Sequence, residues 1–280
     1  MENNDYGILY VVATPIGNLG DITLRAIETL KSVDLIAAED TRHTLKLLNH
    51  LEISKPLISY HRHSEETKTD ILINKLKKGN NIALVSDAGT PGICDPGEEI
   101  IKKCIQEKIK IVPVPGACAM VNALVCSGLS TKEFLFLGFL SINKKLRRQQ
   151  LEKIRNTTST LILYEAPHKL NATLRDLEEI LGGRKMVLAR EITKIHEEFI
   201  RGTVEEIIEK TEEKKGEFVL IIEGSEEIIE ENNLNGLSLE EHYKYYEDKG
   251  LDKKEIIKKI AKDRNVNKNE IYMKFTNIKK

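Results

Sequence analysis

The segment from Asp87 to Gly97 has the composition of a ligand-binding loop. It reads DAGTPGICDPG, so three glycines and two prolines fall within eleven residues, directly after an apolar run. Glycine lets the backbone approach a ligand closely, and proline stiffens the loop. Asp87 and Thr90 add a carboxylate acceptor and a hydroxyl donor. A plain turn is the alternative, but strand-to-helix connections usually have about 2–6 residues, so the length favours a binding loop.

The segment Ala38–His43 places two adjacent carboxylates beside a guanidinium. Glu39, Asp40 and Arg42 are the residues concerned. Such a group suits proton transfer or the binding of a phosphate. The alternative is structural, with Asp40 or Thr41 capping a helix and forming a local ion pair. The pattern leaves both interpretations open.

Two histidines and a run of basic residues are candidates for contact with nucleic acid. His61 and His63 share one face if their segment is extended. A metal site is disfavoured, since no third ligand is near in sequence. Stacking on a base or contact with a phosphate is favoured instead. A basic cluster further along suits either phosphate binding or a solvated helix face. It consists of Lys144, Lys145, Arg147, Arg148, Lys153 and Arg155 around the single acid Glu152.

The spacing of apolar residues in the first half predicts alternating strands and helices. Buried strands are expected over Ile8–Ala13, Asp34–Ala38, Ile82–Ser86 and Ile109–Val114, and helices after an N-cap at Asp21, up to Gly79, over Glu98–Glu107 and over Ala117–Ser127. This alternation predicts an open α/β domain with a mostly parallel sheet, whose ligands bind at the carboxyl ends of the strands. Neither GxGxxG nor GxxxxGK[ST] is present, which argues against a standard dinucleotide site or ATP phosphate loop.

The second half predicts a smaller α/β domain with some antiparallel pairing, followed by an appendage. Two of its strands end in polar or aromatic residues, at Tyr164–His168 and Ala189–Lys194. Residues 225–243 contain six acids and no Lys or Arg, which indicates a linker, whereas Lys244–Lys280 has twelve basic and six acidic residues. This basic tail is expected to form a helix, a turn near Asn265 and a second helix. The predicted domains are 1–114, 115–225 and 226–280.

Composition narrows the class of protein. The 280 residues correspond to about two domains, and 40% hydrophobic residues suffice for a sizeable core. A net charge of -1 argues against a uniformly basic nucleic-acid binder. No secretory signal or transmembrane helix is expected. The four cysteines form no CxxC pair, so we expect no zinc cluster and reduced thiols in a cytoplasmic protein.

Several of these segments together resemble the ribosomal RNA small subunit methyltransferase I family, which has the tetrapyrrole methylase fold. The resemblance runs from about residue 8 to 224, in matching order and spacing. Its stretches are LYVVATPIGNLGDIT (9–23), LIAAEDTRH (35–43), ALVSDAGTP (83–91), YEAPH (164–168), AREITK (189–194) and GEFV (216–219).

The resemblance implies a fold and an activity. The fold is α/β, a class III methyltransferase with two α/β domains, a cofactor cleft between them and a small helical C-terminal appendage. The activity is S-adenosylmethionine-dependent methylation of a cytidine ribose 2′-OH in the decoding centre of small-subunit (16S) rRNA, by a cytoplasmic homodimer acting on the small ribosomal subunit. The alternatives are methylation of a small molecule such as a tetrapyrrole on the same fold, and a non-catalytic RNA-binding module.

The resemblance implies the cofactor-binding residues, whereas the catalytic and RNA-contacting candidates are chosen for their residue types at strand ends and in the basic cluster, and no metal is expected. The expected cofactor-binding residues are Asp87, Ala88, Gly89, Thr90, Pro115, Gly116, Cys118, Tyr164 and Ala189. The expected catalytic residues are Glu39, Asp40, Arg42, Glu191 and Lys194, and their pattern does not single out the base. The expected RNA-contacting residues are Asn18, Asp21, His61, His63, Lys144, Lys145, Arg147 and Arg148.

Overall fold

The computed structural model describes residues 5–62, 65–211, 214–225, 234, 236–264 and 266–277. The chain divides into two compact units, Met1–Glu226 and Glu227–Lys280. The first unit contains two five-stranded sheets. The predicted boundary at residue 114 coincides with the end of the last strand of the first sheet, and its standing as a domain boundary stays a prediction.

The first sheet is entirely parallel, in the order β3-β2-β4-β1-β5. Apolar side chains cover both faces, as a parallel sheet between helices requires. The three-residue strand β3 was not predicted, because an edge strand this short carries little hydrophobic pattern. The strands are β1 (Leu9–Val12), β2 (Leu35–Ala38), β3 (Leu57–Ser59), β4 (Ile82–Val85) and β5 (Ile111–Val114). The helices are α1 (Leu24–Ser32), α2 (Thr41–His50), α3 (Glu65–Lys77) and α4 (Glu98–Gln106).

The predicted cap of the first helix was wrong. Asp21 lies in a short 3₁₀ turn, Leu19–Asp21, and α1 begins three residues later. Thr23 is the cap, since its hydroxyl accepts a hydrogen bond from the Ala26 N–H at 3.1 Å. A β-branched threonine satisfies the helix N-terminus as an aspartate does, which is why the pattern misplaced the start by two residues.

The second sheet is mixed, in the order β6-β7-β10-β8-β9. Strands β6 and β7 pair in parallel, and the remaining pairs are antiparallel, which confirms the expected antiparallel component. The strands are β6 (Phe134–Phe139), β7 (Thr160–Glu165), β8 (Lys185–Arg190), β9 (Glu198–Thr203) and β10 (Phe218–Ile222). The helices are α5 (Ala119–Val125), α6 (Lys144–Ile154), α7 (Leu170–Leu181) and α8 (Val204–Thr211).

Helix α6 is joined to α7 by a buried ion pair. The Arg147 Nε donates to Asp176 Oδ2 at 2.7 Å, and the two side chains are only 6% and 4% exposed. Arg148 also reaches Asp176 and contacts Glu179. The expected RNA contact by Arg147 is therefore corrected, because its guanidinium is enclosed and neutralised. Lys144 and Lys145 are exposed on the same helix and stay candidates.

The second unit contains three helices among its described residues, where two were expected. They are α9 (Leu239–Glu247), α10 (Lys253–Asp263) and α11 (Lys268–Asn277). The first begins inside the predicted linker, because Ser238 and Glu241 form a capping box. Ile256, Ile257, Ile260 and Ile271 form a small core of this unit.

Candidate functional site

A cavity of about 390 Å³ lies where loops from the two sheets of the first unit meet. Its walls come from the loops after β1, β4 and β5 and from the ends of β6, β7 and β10. The lining residues are Ile16, Ala88, Gly89, Thr90, Ile93, Cys94, Asp95, Cys118, Ala119, Phe139, Tyr164, Glu165, Ala166, Pro167, Ile192, Glu217, Phe218 and Val219. The position at the carboxyl ends of parallel strands is the one expected for a ligand site in an open α/β sheet.

Backbone hydrogen bonds join the loops after β1 and β4 next to the cavity. Thr14 and Gly89 exchange two backbone hydrogen bonds, with N···O distances of 2.9 and 3.1 Å. Gly89 has φ +84°, and a Cβ at this position would lie 3.3 Å from Ile16 Cγ2 and 3.7 Å from Ala117 O. Glycine is favoured here by its backbone conformation and by the close approach of the loops.

We expect Gly89→Ala to weaken ligand binding in this cavity. The left-handed conformation costs a non-glycine residue about 1–2 kcal/mol, and the loop must shift to relieve it, so the Kd for S-adenosylhomocysteine should rise about tenfold. Calorimetry measures this. Gly128→Ala is the matched control, since Gly128 has φ +82° and no atom within 4 Å of an added Cβ. An equal loss of affinity in both variants would contradict the assignment.

An aromatic group forms the wall contributed by the second sheet. The Tyr164 hydroxyl accepts a hydrogen bond from the Met120 N–H at 3.1 Å, and the ring contacts Phe136 and Phe139 with centroid distances of 4.9 and 5.6 Å. Burial raises the pKa of Tyr164, so the phenol stays protonated. Phe139 lines the cavity at the end of β6, after an irregularity in the register of the strand between Phe136 and Phe139. The wall offers an apolar surface with a fixed polar atom.

Three carboxylates, those of Glu39, Asp87 and Asp95, interact with one another and with Arg62. Asp87 Oδ1 accepts a hydrogen bond from the Asp40 N–H at 3.0 Å. Burial and then the charge of Glu39 raise the pKa of Asp95 to about 6, against the opposing charge of Arg62. Burial and Asp87 likewise raise the pKa of Glu39. Asp95 lines the cavity itself.

An ion cluster around Lys194 lies beside the cavity wall formed by Glu217. The Lys194 Nζ lies 3.1 Å from Glu191 Oε1 and 3.1 Å from Glu217 Oε2. Burial lowers the pKa of Lys194, but the two glutamates outweigh it and the pKa is raised, so Lys194 carries a positive charge. Burial acts to raise the pKa of Glu191, yet hydrogen bonds from the Glu217 N–H and Lys194 hold it below its usual value. A Cβ at Gly17 would lie 2.4 Å from Lys194 Cγ, so the loop after β1 passes close to this cluster.

Sequence comparison relates the chain to known methyltransferases. The family described as Tetrapyrrole (Corrin/Porphyrin) Methylases matches residues 8–208. A ribosomal RNA small subunit methyltransferase I from Halalkalibacterium halodurans is 52% identical over 275 residues, which cover 97% of this chain and 95% of the relative. The chain belongs to the tetrapyrrole methylase family. This makes it a methyltransferase, which requires a methyl donor.

Further comparisons agree with this family. A Bacillus subtilis relative, also a ribosomal RNA small subunit methyltransferase I, is 52% identical over 96% of this chain and 94% of the relative. The solved structure of a uroporphyrin-III-C-methyltransferase from Thermus thermophilus has a TM-score of 0.57 at 20% identity, over 78% of this chain and 94% of that one. The likeness to this solved structure supports the tetrapyrrole methylase fold and nothing further.

The cavity gathers part of the expected cofactor-binding set. Ala88, Gly89, Thr90, Cys118 and Tyr164 line it. The four others lie around it. Asp87 is directed at Asp40, Pro115 accepts a weak hydrogen bond from Thr23, Ala189 is buried beneath the wall and Gly116 lines a second, polar cleft.

The expected catalytic and RNA-contacting residues are not gathered in one site. Asp40 caps α2 and pairs with Arg42 at 2.7 Å, which is the structural alternative left open above, and the Arg42 guanidinium is 88% exposed. Asn18 caps the 3₁₀ turn, and Asp21 lines the second cleft with Gly116. His61 is exposed, and β3 ends before it, at Ser59. His63 lies outside the described residues.

Several lining residues were not singled out from the sequence. Asp95 belongs to the predicted binding loop. The sequence does not show that its side chain is half-buried in the lining of the cavity. Phe139 and Ile192 carried no chemical signal, because apolar wall residues resemble core residues. The other lining residues that were not singled out are Ile16, Ile93, Cys94, Pro167, Phe218, Val219 and the charged Glu217.

The part of the chain that the structure describes lacks two features, a metal-ligating cluster and a membrane-spanning helix. No group of three or more potential metal-ligating side chains is found there. None of its helices has the length and apolarity needed to cross a membrane.

Proposed function

We propose that this protein transfers a methyl group from S-adenosylmethionine to the ribose 2′-oxygen of a cytidine in the decoding centre of small-subunit (16S) rRNA. The observation that carries the proposal is 52% identity over 97% of the chain to a relative named for small-subunit rRNA methylation. An identity this high extends beyond the shared fold, since a uroporphyrin methyltransferase with the same fold is only 20% identical.

The cavity suits S-adenosylmethionine in size and chemistry. Its volume of about 390 Å³ falls within the roughly 300–1,000 Å³ typical of small-molecule sites. Apolar and aromatic walls at Ile16, Phe139 and Val219 suit an adenine ring, and the Thr90 hydroxyl adds a polar group to the lining. When bound, the cofactor supplies an electrophilic methyl group on a cationic sulfur. The carboxylates of Asp87 and Asp95 make this end of the site favourable for a cation.

We assign to Asp95 the acceptance of the 2′-OH proton. As the ribose oxygen gains the methyl group it loses a proton, and a nearby base lowers the barrier to this step. Asp95 lines the cavity, which none of the five expected catalytic residues does. Its pKa of about 6 leaves it ionised at neutral pH while making it a stronger base than an ordinary carboxylate.

The expected catalytic residues take supporting roles in this proposal. Lys194 is a cation held by two glutamates and suits electrostatic stabilisation of an anionic oxygen or phosphate. Glu191 positions Lys194, and its low pKa makes it a weak base. Glu39 keeps the pKa of Asp95 high. The Arg42 side chain pairs with Asp40 and is largely exposed, so it is proposed to contact the RNA backbone. Further RNA contacts are proposed for Asn18, Asp21, His61, Lys144 and Lys145.

We also propose that the protein is a cytoplasmic homodimer. The edge strand β6 of the second sheet carries Phe134 and Leu135, which are 45% and 37% exposed, and Ile142 and Leu146 follow it at 77% and 51%. Exposed apolar groups on an unpaired strand edge favour coverage by another chain.

A substitution on this edge tests the dimer. Phe134→Glu is expected to raise the dimer dissociation constant at least about 30-fold, because central aromatic anchors contribute about 2 kcal/mol or more. Analytical ultracentrifugation measures it. Ile105→Glu, on the exposed face of α4, is the control. A monomeric wild type, or a dimer indifferent to Phe134→Glu, would contradict this interface.

The activity is tested against both alternatives with one labelled donor. Wild-type protein is incubated with methyl-labelled S-adenosylmethionine and either purified small ribosomal subunits or a tetrapyrrole, and S-adenosylhomocysteine binding is measured by calorimetry. We expect binding and transfer to rRNA. Transfer to the tetrapyrrole alone would establish the small-molecule alternative, and RNA binding without S-adenosylhomocysteine binding would establish the non-catalytic one.

A further inference from the structure

The outward face of α10 carries a row of three lysines. Lys254, Lys258 and Lys262 follow one another at four-residue intervals and all three are exposed. The opposite face holds the buried Ile256, Ile257, Ile260 and Ala261. Residues four apart lie on the same side of a helix, about 6 Å apart along its axis. The three ammonium groups therefore form one row along the surface of the second unit.

This arrangement differs from that of lysines on two other helices, α4 and α11. On α4, Lys102 pairs with Glu98 at 2.8 Å, and on α11, Lys274 pairs with Glu270 at 3.0 Å, in both cases four residues apart. Within the residues that the structure describes, Lys254, Lys258 and Lys262 have no carboxylate within 4.0 Å. Each is instead four residues from another lysine, and such like-charge pairs destabilise a helix by a few tenths of a kcal/mol.

The small unit nevertheless maintains this helix with specific polar contacts. The fully buried His242 contacts Asp263 Oδ2 through Nε2 at 3.2 Å and receives a hydrogen bond from Arg264 Nε on Nδ1 at 3.1 Å. Tyr246 donates to the same aspartate, and Asp252 caps the helix start. Asp252 at the start of α10 and Asp263 at its end therefore make contacts within the unit, whereas the three lysines are exposed to solvent. A row of unopposed cations attracts a polyanion, whose binding releases counterions and offsets the repulsion.

We infer that the Lys254–Lys258–Lys262 row of α10 binds the phosphate backbone of the rRNA substrate. The inference rests on the proposed function, which supplies a polyanion as the partner. A row of lysines is suited to successive phosphates, and it contributes affinity without reading the base sequence. The second unit then serves as an RNA-holding appendage, and the cavity of the first unit provides the chemistry. This arrangement explains how a chain of net charge -1 engages a polyanion.

The test removes three charges from the full-length protein. Lys254→Gln, Lys258→Gln and Lys262→Gln are combined, and binding to unmodified small-subunit rRNA transcribed in vitro is followed by filter binding from low to moderate KCl. Each lost phosphate contact reduces the slope of log K against log salt by about 0.7–0.9. We expect a slope shallower by about 2–3 and an affinity about 10- to 100-fold lower near 0.1 M salt. In methyl-transfer assays we expect a higher KM for RNA and an unchanged kcat.

A matched control separates the row from net charge. Lys75→Gln, Lys78→Gln and Lys110→Gln remove three exposed lysines. They precede β4 and β5, at the amino ends of the strands, whereas the cavity lies at the carboxyl ends. An unchanged affinity in this control, with the loss in the α10 variant, supports the inference. Equal affinities of the α10 variant and wild type, or equal losses in both variants, overturn it. The helical circular dichroism and the thermal unfolding of each variant, compared with wild type, verify that the substituted unit is folded.

The two proposals fail in different ways. Methyl transfer to rRNA by an α10 variant with wild-type KM and salt slope would overturn the lysine row and leave the proposed function standing. Loss of RNA binding in the α10 variant of a protein that neither binds S-adenosylhomocysteine nor transfers methyl groups would overturn the proposed function and retain the row.

Discussion

Replacing Asp95 by asparagine is expected to lower kcat for rRNA methylation about 10²- to 10⁴-fold, the usual contribution of a positioned base. The amide keeps the size of the side chain but accepts no proton. The Kd for S-adenosylhomocysteine should change by less than about threefold, because the cavity walls are otherwise unaltered. Single-turnover assays with purified small subunits, together with calorimetry, measure the two quantities. Asp70→Asn, an exposed carboxylate of α3, is the control.

The pH dependence of the reaction gives an independent test of Asp95. Because the base must be deprotonated, kcat/KM is expected to rise with pH through the pKa of Asp95, at about 6. The groups facing Asp95 are Glu39 and Asp87, which raise the pKa, and Arg62 and Ser86, which lower it. Glu39→Gln removes a negative charge and should move the acid limb of the profile to lower pH. A limb that stays in place, or a fully active Asp95→Asn, contradicts the assignment.

Replacing Arg147 by alanine is expected to lower the free energy of unfolding by about 3–5 kcal/mol, because it leaves the buried carboxylate of Asp176 unpaired. Both side chains are almost fully enclosed between α6 and α7. Arg148 approaches the same aspartate but is 30% exposed, so it compensates only in part. Urea denaturation of the full-length protein, with the first unit's transition analysed separately, measures the change.

The neighbouring lysines provide the comparison that distinguishes a structural role from RNA contact. Lys144→Ala combined with Lys145→Ala removes two exposed charges from the same helix and should change the free energy of unfolding by less than about 0.5 kcal/mol. RNA affinity should fall in this double variant. An Arg147→Ala protein of wild-type stability with weakened RNA binding would restore the original expectation for Arg147.

The fold was predictable from the sequence where hydrophobic runs were long and unambiguous. The strands at Leu9, Leu35, Ile82 and Ile111 were placed within a few residues, because buried strands of a parallel sheet require continuous apolar stretches. The three-residue β3 and the start of α1 were missed, since an edge strand and a threonine cap leave weak local signals. Helix α9 was missed because its capping box follows an acidic stretch that has the composition of a linker.

The site was predictable as a set of loops and less so as a set of roles. The glycine-rich segment from Asp87 to Gly97 pointed to the right end of the sheet. Which of its carboxylates lines the cavity depends on the path of the loop and on contact with the second sheet, and neither is encoded in local spacing. Arg147 illustrates the converse, because its partner Asp176 lies 29 residues away.

The most direct test of the central claim is to map ribose methylation on small-subunit rRNA. Small subunits from cells lacking the gene are incubated with the purified protein and S-adenosylmethionine, and 2′-O-methylated positions are located by their resistance to alkaline hydrolysis. We predict one new 2′-O-methylcytidine in the decoding centre, absent when the Asp95→Asn protein is used for the same incubation time. The absence of any methyl group on the rRNA, or a methyl group on a base rather than a ribose, would contradict the account.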